Sequence, residues 1–108
     1  MSKKIKIEDL INELNIILKK KYSDFRGIYF FGSRLKGQYS SESDYDMVFV
    51  FNKKIDWYFR KEIIKIVYDI ELQYDIFIDV KVYNINDILE PVTPFRRAIL
   101  NDGIFYAS

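Results

Sequence analysis

Phe30-Phe31-Gly32-Ser33, followed after ten residues by Asp44-Tyr45-Asp46-Met47-Val48-Phe49-Val50-Phe51, is the stretch that decides how this chain is read. Gly27-Ile28-Tyr29-Phe30-Phe31 is a short apolar run, rich in aromatic and β-branched residues and bounded by glycines, and it predicts a buried strand over 27–31. Gly32-Ser33 then opens Arg34-Leu35-Lys36, room for one helical turn before Gly37 ends it. Unpaired backbone N–H groups at such a start point outward, and the glycine lets a phosphate come close to the main chain. Ser33 Oγ adds one more donor to this anion cradle.

A polar loop, 38–43, leads to a second strand over 44–51, apolar on both faces and so expected in the interior of its sheet. Residues two apart on a strand project the same way, which sets Asp44 and Asp46 side by side. Two carboxylates that close repel unless a cation sits between them. Oxygen ligands suit Mg²⁺ or Mn²⁺, and a chain with no histidine and no cysteine is a poor host for zinc.

Tyr74-Asp-Ile-Phe-Ile-Asp79-Val-Lys-Val-Tyr83 predicts a third strand over 74–83, interrupted by a charge at Asp79. Two readings stand side by side. In one, Asp79 faces Asp44 and Asp46 across neighbouring strands, ligates a metal and takes a proton from an attacking hydroxyl. In the other it is a solvated residue on an edge strand, paired with Lys81 or an arginine.

Around these segments the pattern is that of a scaffold. Ile7, Leu10, Ile11, Leu14, Ile17 and Leu18 recur at helical spacing, with Glu8 and Asp9 at the start and Lys19-Lys20-Lys21 at the end, as the helix dipole favours. A second helix is expected over 56–72, its stripe formed by Phe59, Ile63, Ile66, Val67 and Ile70. A third starts with Thr93 as N-cap and Pro94 as first residue and runs to about Asn101, with Gly103 as its stop. Arg96 and Arg97 fall in its first turns against the dipole, which points to an acidic partner or a triphosphate; surface pairing with acids such as Glu90 is the alternative.

With 108 residues the chain is expected to be a single domain, 1–108, burying about 65% of its unfolded surface. Charged residues make up 31% and the net charge is +1, which argues against general nucleic-acid binding. No run is long enough to span a membrane and the N-terminus lacks a secretory core, so a cytoplasmic location is expected. Nine tyrosines and nine phenylalanines in so short a chain favour an exposed apolar patch for a homo- or hetero-oligomeric partner.

Gly32-Ser33-Arg34-Leu35-Lys36-Gly37, then Ser43-Asp44-Tyr45-Asp46-Met47-Val48-Phe49-Val50, then Ile78-Asp79-Val80 resemble the minimal nucleotidyltransferases of the DNA polymerase β superfamily. The resemblance extends to the closing Ile99–Tyr106, and Lys36 stands where relatives often carry arginine. It implies an α/β fold with a small mixed β-sheet flanked by helices. It also implies a site in which Asp44, Asp46 and Asp79 hold two Mg²⁺ ions, about 3.5–4 Å apart in two-metal enzymes. Gly32, Ser33 and Arg34 would bind the nucleoside triphosphate, and Asp79 would accept the proton of the attacking hydroxyl. Short stand-alone members of the family act with an all-helical HEPN-type toxin, transferring AMP from ATP to one of its tyrosines. An antitoxin that is a protein adenylyltransferase is therefore the expected function. Two rivals are a small-molecule nucleotidyltransferase of the antibiotic-modifying kind, with Glu42, Glu71 and Asp75 forming an acidic pocket, and a non-catalytic antitoxin that acts by occlusion.

Overall fold

The burial pattern of two β-strands explains how the chain stacks into three layers. The computed structural model describes residues 5–31 and 45–108. Within them β1 (Phe25–Phe31), β2 (Tyr45–Phe51), β3 (Ile78–Asn84) and β4 (Ile104–Ala107) form a four-stranded sheet in the order β3-β2-β1-β4. β2 pairs antiparallel with β1 and parallel with β3, so the sheet is mixed and β2 lies inside it, as its two-sided apolar pattern requires. On one face Ile28, Phe30, Met47, Phe49 and Val82 pack against Leu10, Ile11, Leu14 and Leu18 of α1 (Ile7–Lys21) and Phe59, Ile63, Val67 and Ile70 of α2 (Trp57–Tyr74). On the other, Tyr29, Val48 and Val50 pack against Ile88 of α3 (Ile85–Leu89) and Ile99 of α4 (Pro94–Asp102).

Local chemistry fixes the helix ends. Asp56 caps α2, its Oδ1 accepting from Phe59 N at 2.7 Å, and Thr93 Oγ1 accepts from Arg96 N at 3.2 Å with Pro94 as first residue of α4. Lys19 Nζ donates to the carbonyls of Ser23 and Phe25, closing the basic end of α1 onto the start of β1.

The third strand begins later than the sequence pattern suggests. α2 continues through Tyr74, because Tyr74 extends the buried stripe and donates through its hydroxyl to Glu13 Oε2 at 2.7 Å. Asp75 then turns the chain in the left-handed conformation, φ 54°, and β3 starts at Ile78. α3 and β4 are elements that the sequence did not announce. β4 is held against a bulge in β1 at Gly27, whose φ is +147° and where a Cβ would fall 2.4 Å from the Tyr106 carbonyl oxygen.

The outer side of α2 carries a second apolar stripe. Trp57, Ile64, Tyr68 and Leu72 recur at helical spacing opposite the buried residues and are exposed, Leu72 by 63%. Among the described residues no helix is long and apolar enough to cross a membrane.

Candidate active site

The strand register brings two of the acidic residues together. Phe31 pairs with Asp46 across β1 and β2, and Asp46 with Asp79 across β2 and β3, so these three residues form one row across the sheet. β1 ends at this row, whereas β2 and β3 start within one residue of it. Alternation places Asp46 with Val48 and Val50, and Asp79 with Tyr83, on the face that α3 and α4 cover. Gly32 follows Phe31 directly, which puts the chain segment Gly32-Ser33 next to the row; Gly32, Ser33, Arg34 and Asp44 themselves lie outside the described residues.

Both aspartates are only half buried, and Asp79 is engaged. Lys81, two residues along the same face, places Nζ at 2.9 and 3.0 Å from its two carboxylate oxygens, the side chains being 36% and 43% exposed. β3 is also an edge strand among the described residues. The two readings of Asp79 thus meet in one residue, which faces Asp46 in register and pairs with Lys81. The ammonium shows the kind of charge this carboxylate attracts.

One side chain that sequence reasoning did not assign completes the surroundings. Phe95, at the start of α4, meets Phe31 edge to face with 5.6 Å between ring centroids, and Lys81 Nζ lies 5.9 Å from the Phe95 ring. Phe95 therefore forms an aromatic wall beside the row. Its position just after a Pro-initiated helix start was the only available signal. Of the acids weighed for an antibiotic pocket, Glu71 uses Oε2 to accept from Ile78 N at 3.3 Å and Asp75 is the turn residue after α2, while Glu42 lies outside the described residues.

The donor set fits a hard divalent cation. Asp46 and Asp79 offer oxygen only, in register on adjacent strands and partly open to solvent. Among the described residues no group of three acids gathers, and Asp44, the third expected ligand, lies outside them.

Known proteins match this architecture. The sequence pattern described as Polymerase beta, Nucleotidyltransferase matches residues 12–106. Among solved structures the chain is similar to a toxin-antitoxin with AMP-PNP, with 20% identity and TM-score 0.66, covering 93% of this chain and 72% of that one. It is similar to a nucleotidyltransferase-like protein from Sulfolobus solfataricus, with 20% identity and TM-score 0.61, covering 91% of this chain and 77% of that one. A mutant of the toxin-antitoxin MntA-HpeT shares 20% identity at TM-score 0.59, over 94% of this chain and 72% of that one. At such identities the likeness is one of fold. No curated protein matches the chain in sequence.

Proposed function

The chain belongs to the polymerase beta nucleotidyltransferase family, and from that membership we propose that it transfers AMP from ATP to a hydroxyl acceptor, a tyrosine of a HEPN-type toxin, and so serves as the antitoxin. The observation that carries the transferase reading is the row in which Asp46 and Asp79 stand in register beside the end of β1, where Gly32-Ser33 follows. The nucleotide reading is supported by a similar structure that holds AMP-PNP, and the partner reading by two similar structures that are toxin-antitoxin assemblies. The exposed stripe of Trp57, Tyr68 and Leu72 offers apolar surface of the kind a protein partner covers.

Each residue then has a task. Asp44, Asp46 and Asp79 would hold the two Mg²⁺ ions, which when bound neutralise charge on the leaving pyrophosphate and acidify the attacking hydroxyl. The backbone N–H groups at Gly32 and Ser33, with the Arg34 guanidinium, bind the triphosphate and align it for in-line displacement. Asp79 accepts the proton of the attacking hydroxyl, and Lys81, which touches both of its oxygens in the metal-free chain, gives way when the cation binds. Phe95 and Phe31 limit water on the α4 side of the row.

The test is to mix the full chain with ATP, Mg²⁺ and the product of the neighbouring reading frame and to measure the intact mass of that product. The expected result is the addition of AMP to the partner, abolished by Asp46→Asn. An unchanged mass, together with neutralisation of the partner by Asp46→Asn, would show that occlusion without chemistry is the mechanism.

A further inference from the structure

At the far end of β3, about 13 Å from Asp79 for four residues of strand, lies a cavity of about 330 Å³ that the transferase reading does not use. Its walls come from the β2–α2 connection, the first turns of α2 and α4, the end of β3 and α3. Lys54, Arg60 and Arg96 line it, with Asp87 as the one acid. Among the described residues none of these three cations forms a salt bridge; the one ion pair there joins Lys81 to Asp79. Three unpaired positive charges around a concave site repel one another unless an anion joins them.

The helices sharpen this. α2 has the Asp56 carboxylate at its N-cap, whereas α4 has no acid in its first turn, where the dipole favours one, and each helix carries an arginine near its start that reaches the same cavity. Each guanidinium has a contact on β3. Arg60 Nη2 donates to the Val82 carbonyl at 3.4 Å, and Arg96 lies over the Tyr83 ring at 5.2 Å. Expected pairing of Arg96 with Glu90 is not found among the described residues. Two planar forks from different helices match the oxygens of a phosphoryl group.

We propose that this cavity binds a phosphate monoester dianion carrying a hydroxyl-bearing group. Three cations against one carboxylate leave a surplus of two positive charges, the charge of a monoester above its second ionisation. Asp87 repels a second phosphate and accepts from a hydroxyl. The volume is at the small end of ligand sites, the size of a phosphorylated sugar or one nucleotide end. The monoester has two sources, a free small molecule or the 5′-phosphate of an oligonucleotide.

The test uses the full chain in EDTA, so that metal-dependent nucleotide binding plays no part. Ribose 5-phosphate and a 5′-phosphorylated trinucleotide are titrated separately by calorimetry, with inorganic sulfate and the unphosphorylated trinucleotide as comparators. Saturable binding of at least one monoester is expected, tenfold or more tighter than sulfate. It should be weakened about tenfold by Arg60→Gln and by Arg96→Gln and left unchanged by Asp46→Asn. Lys54→Gln, on a connecting loop, is the companion variant should either arginine change impair folding, and thermal melting identifies that case. Tighter binding of the trinucleotide assigns the source to a nucleic-acid end, and of the sugar phosphate to a free metabolite. Equal binding of sulfate, no binding at millimolar monoester, or binding unaffected by the cation variants overturns the proposal. Because no arm contains Mg²⁺ or the toxin, its failure leaves the transferase reading as it was.

Discussion

Replacing Lys81 by methionine separates a structural ion pair from a metal ligand. In the apo protein the Lys81 ammonium spans both oxygens of Asp79 at 2.9 and 3.0 Å, with the side chains 36% and 43% exposed. A pair this open is worth about 0.2–1 kcal/mol. A divalent cation that takes Asp79 as ligand must displace that ammonium, so removing it should tighten the cation by about 1.4- to 5-fold, at 1.4 kcal/mol per factor of ten. Repulsion between the cation and a lysine that stays close would add to the gain. The loss of folding stability without metal should stay under about 1 kcal/mol, a fall of a few degrees in Tm. Mn²⁺ titration followed by electron paramagnetic resonance reads the first quantity and thermal melting in EDTA the second. Asp79→Asn is the opposing control, with Mn²⁺ binding weakened at least tenfold. If Asp79→Asn binds Mn²⁺ as tightly as the wild type and Lys81→Met binds it no better, Asp79 is not a ligand and the row is a surface feature of an edge strand.

Gly27→Ala should cost at least 2 kcal/mol, from a φ of +147° worth about 1–3 kcal/mol and from a Cβ placed 2.4 Å from a main-chain oxygen that cannot rotate away. Urea unfolding measures it, and a loss under about 0.5 kcal/mol would contradict the bulge described for β1. Asp56→Ala removes the acceptor that Phe59 N uses at 2.7 Å and should cost about 0.5–2 kcal/mol. Asp56→Asn should keep most of that stability, and equal losses for the two would show that the cap is not the cause. Burial, then the hydrogen bond it donates to Glu62, hold the Tyr22 phenol well above its usual range. Its neutral form is favoured in the folded state, so the contribution is complete below about pH 10 and is lost as pH rises beyond that value. Tyr22→Phe should therefore flatten the decline of stability between neutral and strongly alkaline pH, and parallel curves for the two proteins would rule Tyr22 out as the cause.

The first two strands and both long helices could be read from period and caps because their signals are local. Phe59, Ile63, Val67 and Ile70 repeat every three or four residues, and Thr93-Pro94 marks a helix start in the chemistry of two side chains. The residues expected in the row were legible in the same way, since Asp46 and Asp79 are charges set into apolar strands. What the sequence withheld depends on contacts between distant segments. β4 is short and mostly exposed, and only pairing with β1 over Gly27 makes it a strand. The start of β3 moved from Tyr74 to Ile78 because Tyr74 found Glu13, 61 positions away. Lys81 was legible as a partner of Asp79 from their i, i+2 spacing on one strand, whereas Phe95 joined the surroundings of the row through the placement of α4, which no pattern near it reports. The three cations of the second cavity come from separate elements and meet only in the fold.

The row is mechanically uneven. Among the described residues Asp46 sits on a strand gripped along both flanks, by β1 and by β3, whereas Asp79 sits on one gripped along a single flank. Opening β3 costs fewer broken hydrogen bonds than opening β2, so Asp79 belongs to the less stable strand of the row and Asp46 to the more stable one. Arg60, at the cationic cavity, donates to the same strand at the Val82 carbonyl, three residues from Asp79.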